Sequence, residues 1–380
     1  MTDALIPSPP MALIAEITHR CPLKCPYCSN PLELVRRGDE LSTEAWLDIL
    51  DEAADLGVLQ VHFTGGEPTA RDDLRDLVAR AEDRGMYTNL ITAAVLLDRD
   101  GFAELADQGL QHVQISFQAP ESDLADCIGG FSGGHERKLQ AAKWIGELGM
   151  ALTINAVMHR GNMDRVGAMI DLALALGAQR LEVANVQYYG WGLLNRNKLL
   201  PTRAQLEAMT ETVEAARARL KGQLVIDYVV PDYYARRPKA CMGGWGQRVM
   251  NVMPDGRVLP CHAAETITDL TVERAGERPL ADIWRTGDAF TRFRGTAWMP
   301  EPCRSCDRRE VDWGGCRCQA LAVAGRADIA DPACELAPDH HLMTEIAEAD
   351  AGDVLLEFQY RTMSRTLSDQ NSVKRRGPES

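Results

Sequence analysis

The chain predicts an α/β fold with a small cysteine-rich second domain, and three observations carry that prediction. Short apolar runs alternate with amphipathic stretches through the first two-thirds of the sequence. The segments richest in chemistry follow the ends of the first two runs, where α/β folds gather their active sites. From about Pro231, glycine, proline and cysteine become frequent and long periodic stretches end. The length of 380 residues fits one large domain and one small one, against a prior of roughly 2.5 domains. At 45% hydrophobic and 25% charged, the chain can build a core and is too apolar for wholesale disorder. Its net charge of −14 argues against non-specific nucleic-acid binding and against anionic membrane surfaces. No apolar run approaches membrane-spanning length, and Met1–Pro10 lacks a basic and an apolar signal region. Neither a span nor a secretory signal is therefore expected.

The elements follow in order. Leu13–Thr18 reads as a strand, and Thr43–Leu56 as a helix with Ser42 or Thr43 near its N-cap. Gln60–Phe63 is a strand and Asp72–Arg84 a helix; Tyr87–Thr92 is a strand and Phe102–Gln108 a helix. His112–Phe117 is a strand, and Glu136–Leu148 a helix stopped by Gly149. Leu152–Val157 is a strand, Asp164–Leu176 a helix stopped by Gly177, and Leu181–Ala184 a strand. Strands alternating with helices in this way make parallel βαβ units. An open doubly wound sheet and a complete or partial barrel both fit that periodicity. A long helix, Arg203–Leu220, and a strand, Leu224–Val229, close the first region. Val249–Val252 and Val258–Leu259 then flank Pro254-Asp255-Gly256 as a hairpin. The residues from about Met363, with Lys374-Arg375-Arg376, read as a frayed polar tail.

Eleven cysteines are the informative count. Cys21, Cys25 and Cys28 lie within eight residues, seven more lie between Cys241 and Cys334, and Cys127 stands alone in a loop-like segment as a buried, inert thiol. Clustered cysteines without a signal peptide point to metal or redox chemistry rather than disulfides. Three thiolates from one short loop leave one iron of a cubane cluster open, and an open coordination position marks a catalytic site. A zinc site with His19 or His62 as fourth ligand is the alternative. Gly65 and Gly66 let the backbone approach a ligand closely, and Glu67 offers an acceptor to a cationic amine.

Cys21-x3-Cys25-x-Tyr27-Cys28 followed by Gly65-Gly66-Glu67-Pro68 resembles the radical S-adenosylmethionine (SAM) enzymes. The resemblance implies a partial (β/α)6 TIM-like barrel. It implies a [4Fe–4S] cluster on Cys21, Cys25 and Cys28 whose open iron is chelated by SAM. It also implies that Gly65, Gly66 and Glu67 hold the SAM amino group, and that Ser116 contacts its ribose or carboxylate. Tyr27 is the aromatic of the motif and a cofactor neighbour.

The second group runs Cys241-x14-Gly256-x4-Cys261, Cys303-x2-Cys306-x5-Asp312-x3-Cys316-x-Cys318, then Cys334. Two four-ligand clusters need one ligand more than these seven thiolates supply. The spacing resembles the SPASM extension of peptide-modifying radical SAM enzymes, with Asp312 at the place of its middle cysteine. The resemblance assigns Cys241, Cys261, Cys316 and Cys318 to a first auxiliary cluster. Cys303, Cys306, Asp312 and Cys334 would hold a second, and each may be read as a [4Fe–4S] or a [2Fe–2S] centre. The alternative leaves Asp312 on an exposed turn and completes the second site with His262 or water. The implied division is 11–230 for the radical SAM barrel, 231–345 for the SPASM domain and 346–380 for a C-terminal extension.

Longer stretches are similar to one family within that group, the PqqA peptide cyclases: Arg20 to Pro31, Val61 to Pro68, Val186-Gln187-Tyr188-Tyr189-Gly190-Trp191, and Arg304-Ser305-Cys306 with Asp312. The resemblance implies that Glu Cγ and the Tyr ring carbon ortho to the hydroxyl are joined within the PqqA precursor peptide, the first step of pyrroloquinoline quinone biosynthesis. An unactivated C–H bond is beyond acid–base catalysis, so a cofactor radical is required. Rearomatisation must then release one electron and one proton, and an auxiliary cluster is a natural electron acceptor. Tyr188 and Tyr189 either line the substrate cavity or pack. The implied partners are a small peptide chaperone, PqqD, and a flavodoxin-like electron donor, in the cytoplasm. A thioether-forming or sulfatase-maturing SPASM enzyme is the nearest rival, and a zinc-stabilised regulatory protein the rival from another class.

Overall fold

The computed structural model describes residues 7–349 and 358–362. The polar tail expected from about Met363 lies outside the described residues, as does most of the 346–380 extension. Strands β1 (Ala12–Thr18), β2 (Gln60–Gly65), β3 (Tyr87–Thr92), β4 (His112–Phe117), β5 (Ala151–Met158) and β6 (Arg180–Asn185) lie side by side in chain order, all parallel. The parallel strand β7 (Val225–Tyr228) follows β6. On the other edge, β8 (Val249–Val252) pairs parallel with β1, and β9 (Val258–Leu259) turns back antiparallel onto β8.

This order decides between the two architectures. A doubly wound sheet reverses direction at a switch point, and here β1 to β7 proceed one way without reversal. With right-handed crossovers, every connecting helix then falls on one face. Among the described residues the ends β7 and β9 do not pair, so the sheet is an open, partial barrel.

The helices are α1 (Thr43–Leu56), α2 (Leu74–Asp83), α3 (Arg99–Asp107), α4 (Ser122–Gly129), α5 (Gly134–Glu147), α6 (Val166–Ala175), α7 (Gly190–Leu194), α8 (Arg196–Leu199) and α9 (Arg203–Arg219). Their limits have local causes. In α1 the Ser42 hydroxyl accepts from the Ala45 N–H at 3.2 Å, and Gly57 ends the helix at φ +100°. Thr202 and Gln205 form a capping box at α9. The segment around Cys127 is helix α4 and not a loop, and Cys127 is exposed and not buried. Eight residues between Glu121 and the left-handed Gly130 are too few for periodicity to reveal.

Alternation along the strands separates two faces. Leu13, Ala15, Ile17, Val61, Phe63, Leu90, Val113, Ile115, Leu152 and Ile154 point to the helices and form the main core. Glu16, His62, Asn89, Gln114, Asn155 and Glu182 occupy the alternate positions, so the inner face is polar. Ser116, Asn155, Glu182 and Asp227 stand opposite one another across β4 to β7.

The change of texture at Pro231 is not a break in packing. Besides β8 and β9, helices α10 (Leu280–Thr286) and α11 (Asp288–Thr291) add Leu280, Ile283, Trp284 and Phe290 to the main core. The Trp284 indole donates to the Ser8 carbonyl at 2.9 Å. The remaining helices, α12 (Arg309–Asp312), α13 (Arg317–Ala324) and α14 (His340–Glu348), are nine residues or shorter and sit among separate small cores.

Candidate active site

The loop after β1 carries Cys21, Cys25 and Cys28 at the C-terminal rim of the sheet. It is pinned from both sides. The Lys24 N–H donates to the Gly129 carbonyl of α4 at 2.8 Å, and the Gly192 N–H of α7 to the Cys28 carbonyl at 3.2 Å. A Cβ on Gly190 would stand 2.0 Å from the Asn30 carbonyl oxygen, so only glycine lets α7 approach this loop. All eleven cysteines are free thiols. Burial pushes Cys21 up to about 12 and Cys25 up to about 11, and raises Cys28. The thiols are therefore neutral in the absence of metal, and a bound cluster must displace their protons.

Two buried cations face this triad. Lys138 of α5 donates to the Ser116 carbonyl at 2.8 Å and to the Gln118 side chain. Burial depresses its pKa to about 8, against the attraction of Cys25, Glu67 and Cys21. Arg361, in the C-terminal segment, donates to the His19 carbonyl. Neither cation belongs to a motif, and sequence reading gave no sign of either.

Gly65 and Gly66 pack against the start of the same loop. A Cβ on Gly65 would lie 2.2 Å from the Thr18 carbonyl oxygen and one on Gly66 2.4 Å from that of Arg20. Glu67 is fully buried, and its carboxylate accepts from the Thr69 N–H and hydroxyl, the Thr92 hydroxyl and the Ala93 N–H at 2.7–3.1 Å. These four donors make Glu67 the tie between the ends of β2 and β3. Tyr27 is buried beside Cys25, with its ring 5.6 Å from that of His159. Ser116 is half-buried on the inner face at the end of β4.

The zinc alternative loses its nearest fourth ligand. His19 is fully buried, its Nδ1 accepts from the Val35 N–H at 3.0 Å, and its Nε2 lies 3.3 Å from Glu16. In His62, Nδ1 is taken by the Asn89 amide at 2.8 Å. Among the described residues no three His, Cys, Asp or Glu side chains converge as one metal ion would require.

The second cysteine group lies in two places. Cys241 neighbours Cys261 and Cys316, and Cys318 neighbours the same two, so the four thiols stand together. Cys261 and Cys318 belong to a small core with Trp245, Met253 and Phe293. Cys303, Cys306, Asp312 and Cys334 line one cavity. Asp312 is buried, not exposed, and the left-handed turn at Trp313, Gly314 and Gly315 directs it inward. His262, the other fourth-ligand candidate, instead lies against Tyr189, with ring centroids 5.6 Å apart. The donor sets fit two four-cornered clusters, one all-thiolate and one with a carboxylate corner.

Asp331, unmarked in the sequence, links the two sites. It lines the Asp312 cavity while accepting from the Cys316 N–H at 2.6 Å. Of the tyrosine pair, Tyr188 packs edge-on to Tyr233 at 4.9 Å. Tyr189 is buried, and its hydroxyl donates to Glu265, joining the barrel to the second region.

Two family models match this chain. Residues 15–173 match the model of the radical SAM superfamily, and 241–307 that of an iron-sulfur cluster-binding domain. A PqqA peptide cyclase of Granulibacter bethesdensis is 60% identical over 353 residues, 93% of this chain and 94% of the relative. One of Rhodopseudomonas palustris is 60% identical over 357 residues, again 93% and 94%. The crystal structure of Streptococcus suis SuiB bound to S-adenosylmethionine aligns with a TM-score of 0.71 at 23% identity, covering 87% of this chain and 78% of that one. At that identity the likeness shows the fold. No helix among the described residues is long and apolar enough to cross a membrane.

Proposed function

This chain belongs to the PqqA peptide cyclases, radical SAM enzymes of pyrroloquinoline quinone biosynthesis, and we propose that it joins a glutamate γ-carbon to the tyrosine ring carbon ortho to the hydroxyl within one PqqA peptide. The observation that carries the reading is the donor inventory. Three thiols sit at the barrel rim, four stand together in the second region, and three share a cavity with Asp312. When bound, the rim cluster and SAM supply what no side chain can, a radical able to take hydrogen from an unactivated carbon.

The chain's residues have these roles in the proposal. Cys21, Cys25 and Cys28 hold three irons of a [4Fe–4S] cluster and leave the fourth to SAM. Gly65, Gly66 and Glu67 hold the SAM amino group, with Glu67 also fixing the turn through its four donors. Tyr27 and Ser116 flank the cofactor. Cys241, Cys261, Cys316 and Cys318 hold one auxiliary cluster, and Cys303, Cys306, Asp312 and Cys334 the other. The polar inner face from Ser116 to Asp227 suits a hydrated peptide backbone. We take 11–230 as the barrel domain and 231–345 as the SPASM domain. PqqD and a flavodoxin-like donor are the proposed partners, in the cytoplasm.

The test is mass spectrometry of the precursor peptide after anaerobic incubation with SAM, reductant and the chaperone. Loss of two hydrogens localised to one Glu–Tyr pair is expected. An unmodified peptide alongside abundant SAM cleavage would show that the bond is wrong, and a thioether product would favour the nearest rival.

A further inference from the structure

We propose that Arg361 is a positioning residue of the SAM cluster: the segment 358–362 straps back across the cluster loop and sets a guanidinium against its thiolates as their counter-ion. The inference rests on the reading that Cys21, Cys25 and Cys28 hold a cluster. Nothing in the family motifs includes this segment.

One buried amide fastens the strap. The Asn195 side chain accepts from the Gln359 N–H at 2.9 Å and donates to the Gln359 carbonyl at 2.8 Å, a two-point backbone clamp. The same amide donates to the Pro26 carbonyl of the cluster loop at 2.8 Å. Phe358 packs with Tyr27, Ile128 and Leu199, and the Lys198 ammonium lies 5.8 Å from its ring centroid. Strap and cluster loop are thus held as one unit by a residue at the start of α8.

Arg361 is 6% exposed. One terminal nitrogen donates to the His19 carbonyl, two residues before Cys21. The guanidinium lies within electrostatic reach of all three triad cysteines. Its Nε is buried and has no hydrogen-bond partner among the described residues. A guanidinium this deeply buried needs a counter-charge, and the triad cysteines it faces are anionic as ligands of a cluster. Reducing the cluster by one electron from an external donor makes it more negative. A fixed cation held beside the ligands stabilises that reduced form and raises the potential.

The test compares the wild-type chain with Arg361→Gln, Arg361→Lys and a chain ending before Phe358, all reconstituted anaerobically. Iron content is measured, and the cluster whose EPR signal shifts on adding SAM is titrated with dithionite. In Arg361→Gln and the shortened chain, the one-electron reduction constant of that cluster should fall about tenfold, about 59 mV. Arg361→Lys should keep most of the wild-type value, and the other EPR signals and the iron content should stay unchanged. A wild-type potential in any folded, fully loaded variant lacking the guanidinium charge overturns the proposal. Absence of any SAM-sensitive signal in the wild type overturns it together with the cluster reading beneath it, a result the variants alone could not produce.

Discussion

The triad Cys21, Cys25 and Cys28 and the group Cys241, Cys261, Cys316 and Cys318 are both thiol sites, and they relate to the fold in opposite ways. The triad hangs from the rim of a sheet whose core of Leu13, Phe63, Val113, Ile154 and their neighbours contains no thiol. In the second region the thiols are part of the core: Cys261 and Cys318 pack in one small cluster, and Cys303 and Cys334 in another. On the proposed assignment, three ligands on a scaffold that stands without them make an open, reactive site, and four ligands inside a core too small to stand alone make a closed one, where metal binding is folding energy.

The most severe way to break this comparison is to remove one ligand from each site. Cys25→Ala should take SAM cleavage to background while the thermal midpoint moves by only a few degrees. Cys261→Ala should instead release the second region. Hydrogen exchange of backbone amides across 261–270 and 293–334 should rise on the order of 100-fold or more while the amides of β1 to β6, β8 and the helices α10 and α11 keep their protection. Preparing the protein without iron should reproduce the second pattern. Equal protection of both regions in the iron-free protein would mean that the small cores stand alone, and the contrast would be lost.

A smaller effect is expected at Asp312, the one non-thiol corner. Asp312→Ala should lower iron content by up to one cluster and remove one auxiliary EPR signal, leaving the SAM-sensitive signal in place. Asp312→Cys should restore the iron with an altered signal, since ligand type tunes a cluster. Unchanged iron and EPR in Asp312→Ala would make the carboxylate a bystander of the cavity.

The same contrast governs what was legible in the sequence. The strands of the barrel were readable to within two residues or so, because alternation and periodicity report a large buried core. The cysteine groups stood out as clusters along the chain, and their division into ligand sets, with Asp312, came from the family resemblance. Lys138, Asn195, Asp331 and Arg361 were not readable, because each acts as a single residue brought in from a distant part of the chain. The polar inner face did leave a signal. His112, Gln114 and Ser116 alternate with Val113, Ile115 and Phe117, a pattern of two wet and dry faces rather than of a strand buried on both. Helix α4 was too short to show.

The inner face offers a gentler probe of the barrel side. Burial, with His112 nearby, lowers the pKa of His62 from 6.5 to about 4. The folded protein therefore keeps the imidazole neutral while the unfolded chain takes up a proton near 6.5. Its contribution to stability is complete above pH 6.5 and is lost as the pH falls toward 4, at most about 3 kcal/mol. His62→Gln should flatten that acid limb in chemical denaturation curves. An unchanged slope between pH 6.5 and 4 would show that His62 titrates alike in both states.

The smallest effect is expected at the one cysteine outside all three sites. Helix α4 supports the cluster loop through the Gly129 carbonyl and through Ala125 and Ile128, which pack with Tyr27. Cys127 lies on the opposite, exposed side of that helix. Ile128→Ala should therefore cost about 2–4 kcal/mol and loosen the loop. Cys127→Ser should stay within ±0.5 kcal/mol, with iron content and peptide product unaltered. In the loaded protein one equivalent of iodoacetamide should label Cys127 first, since the ten other thiols are engaged or buried. Loss of product in Cys127→Ser at full iron content would bring this thiol into the chemistry and end the division of eleven cysteines into one open site, two closed ones and a spare.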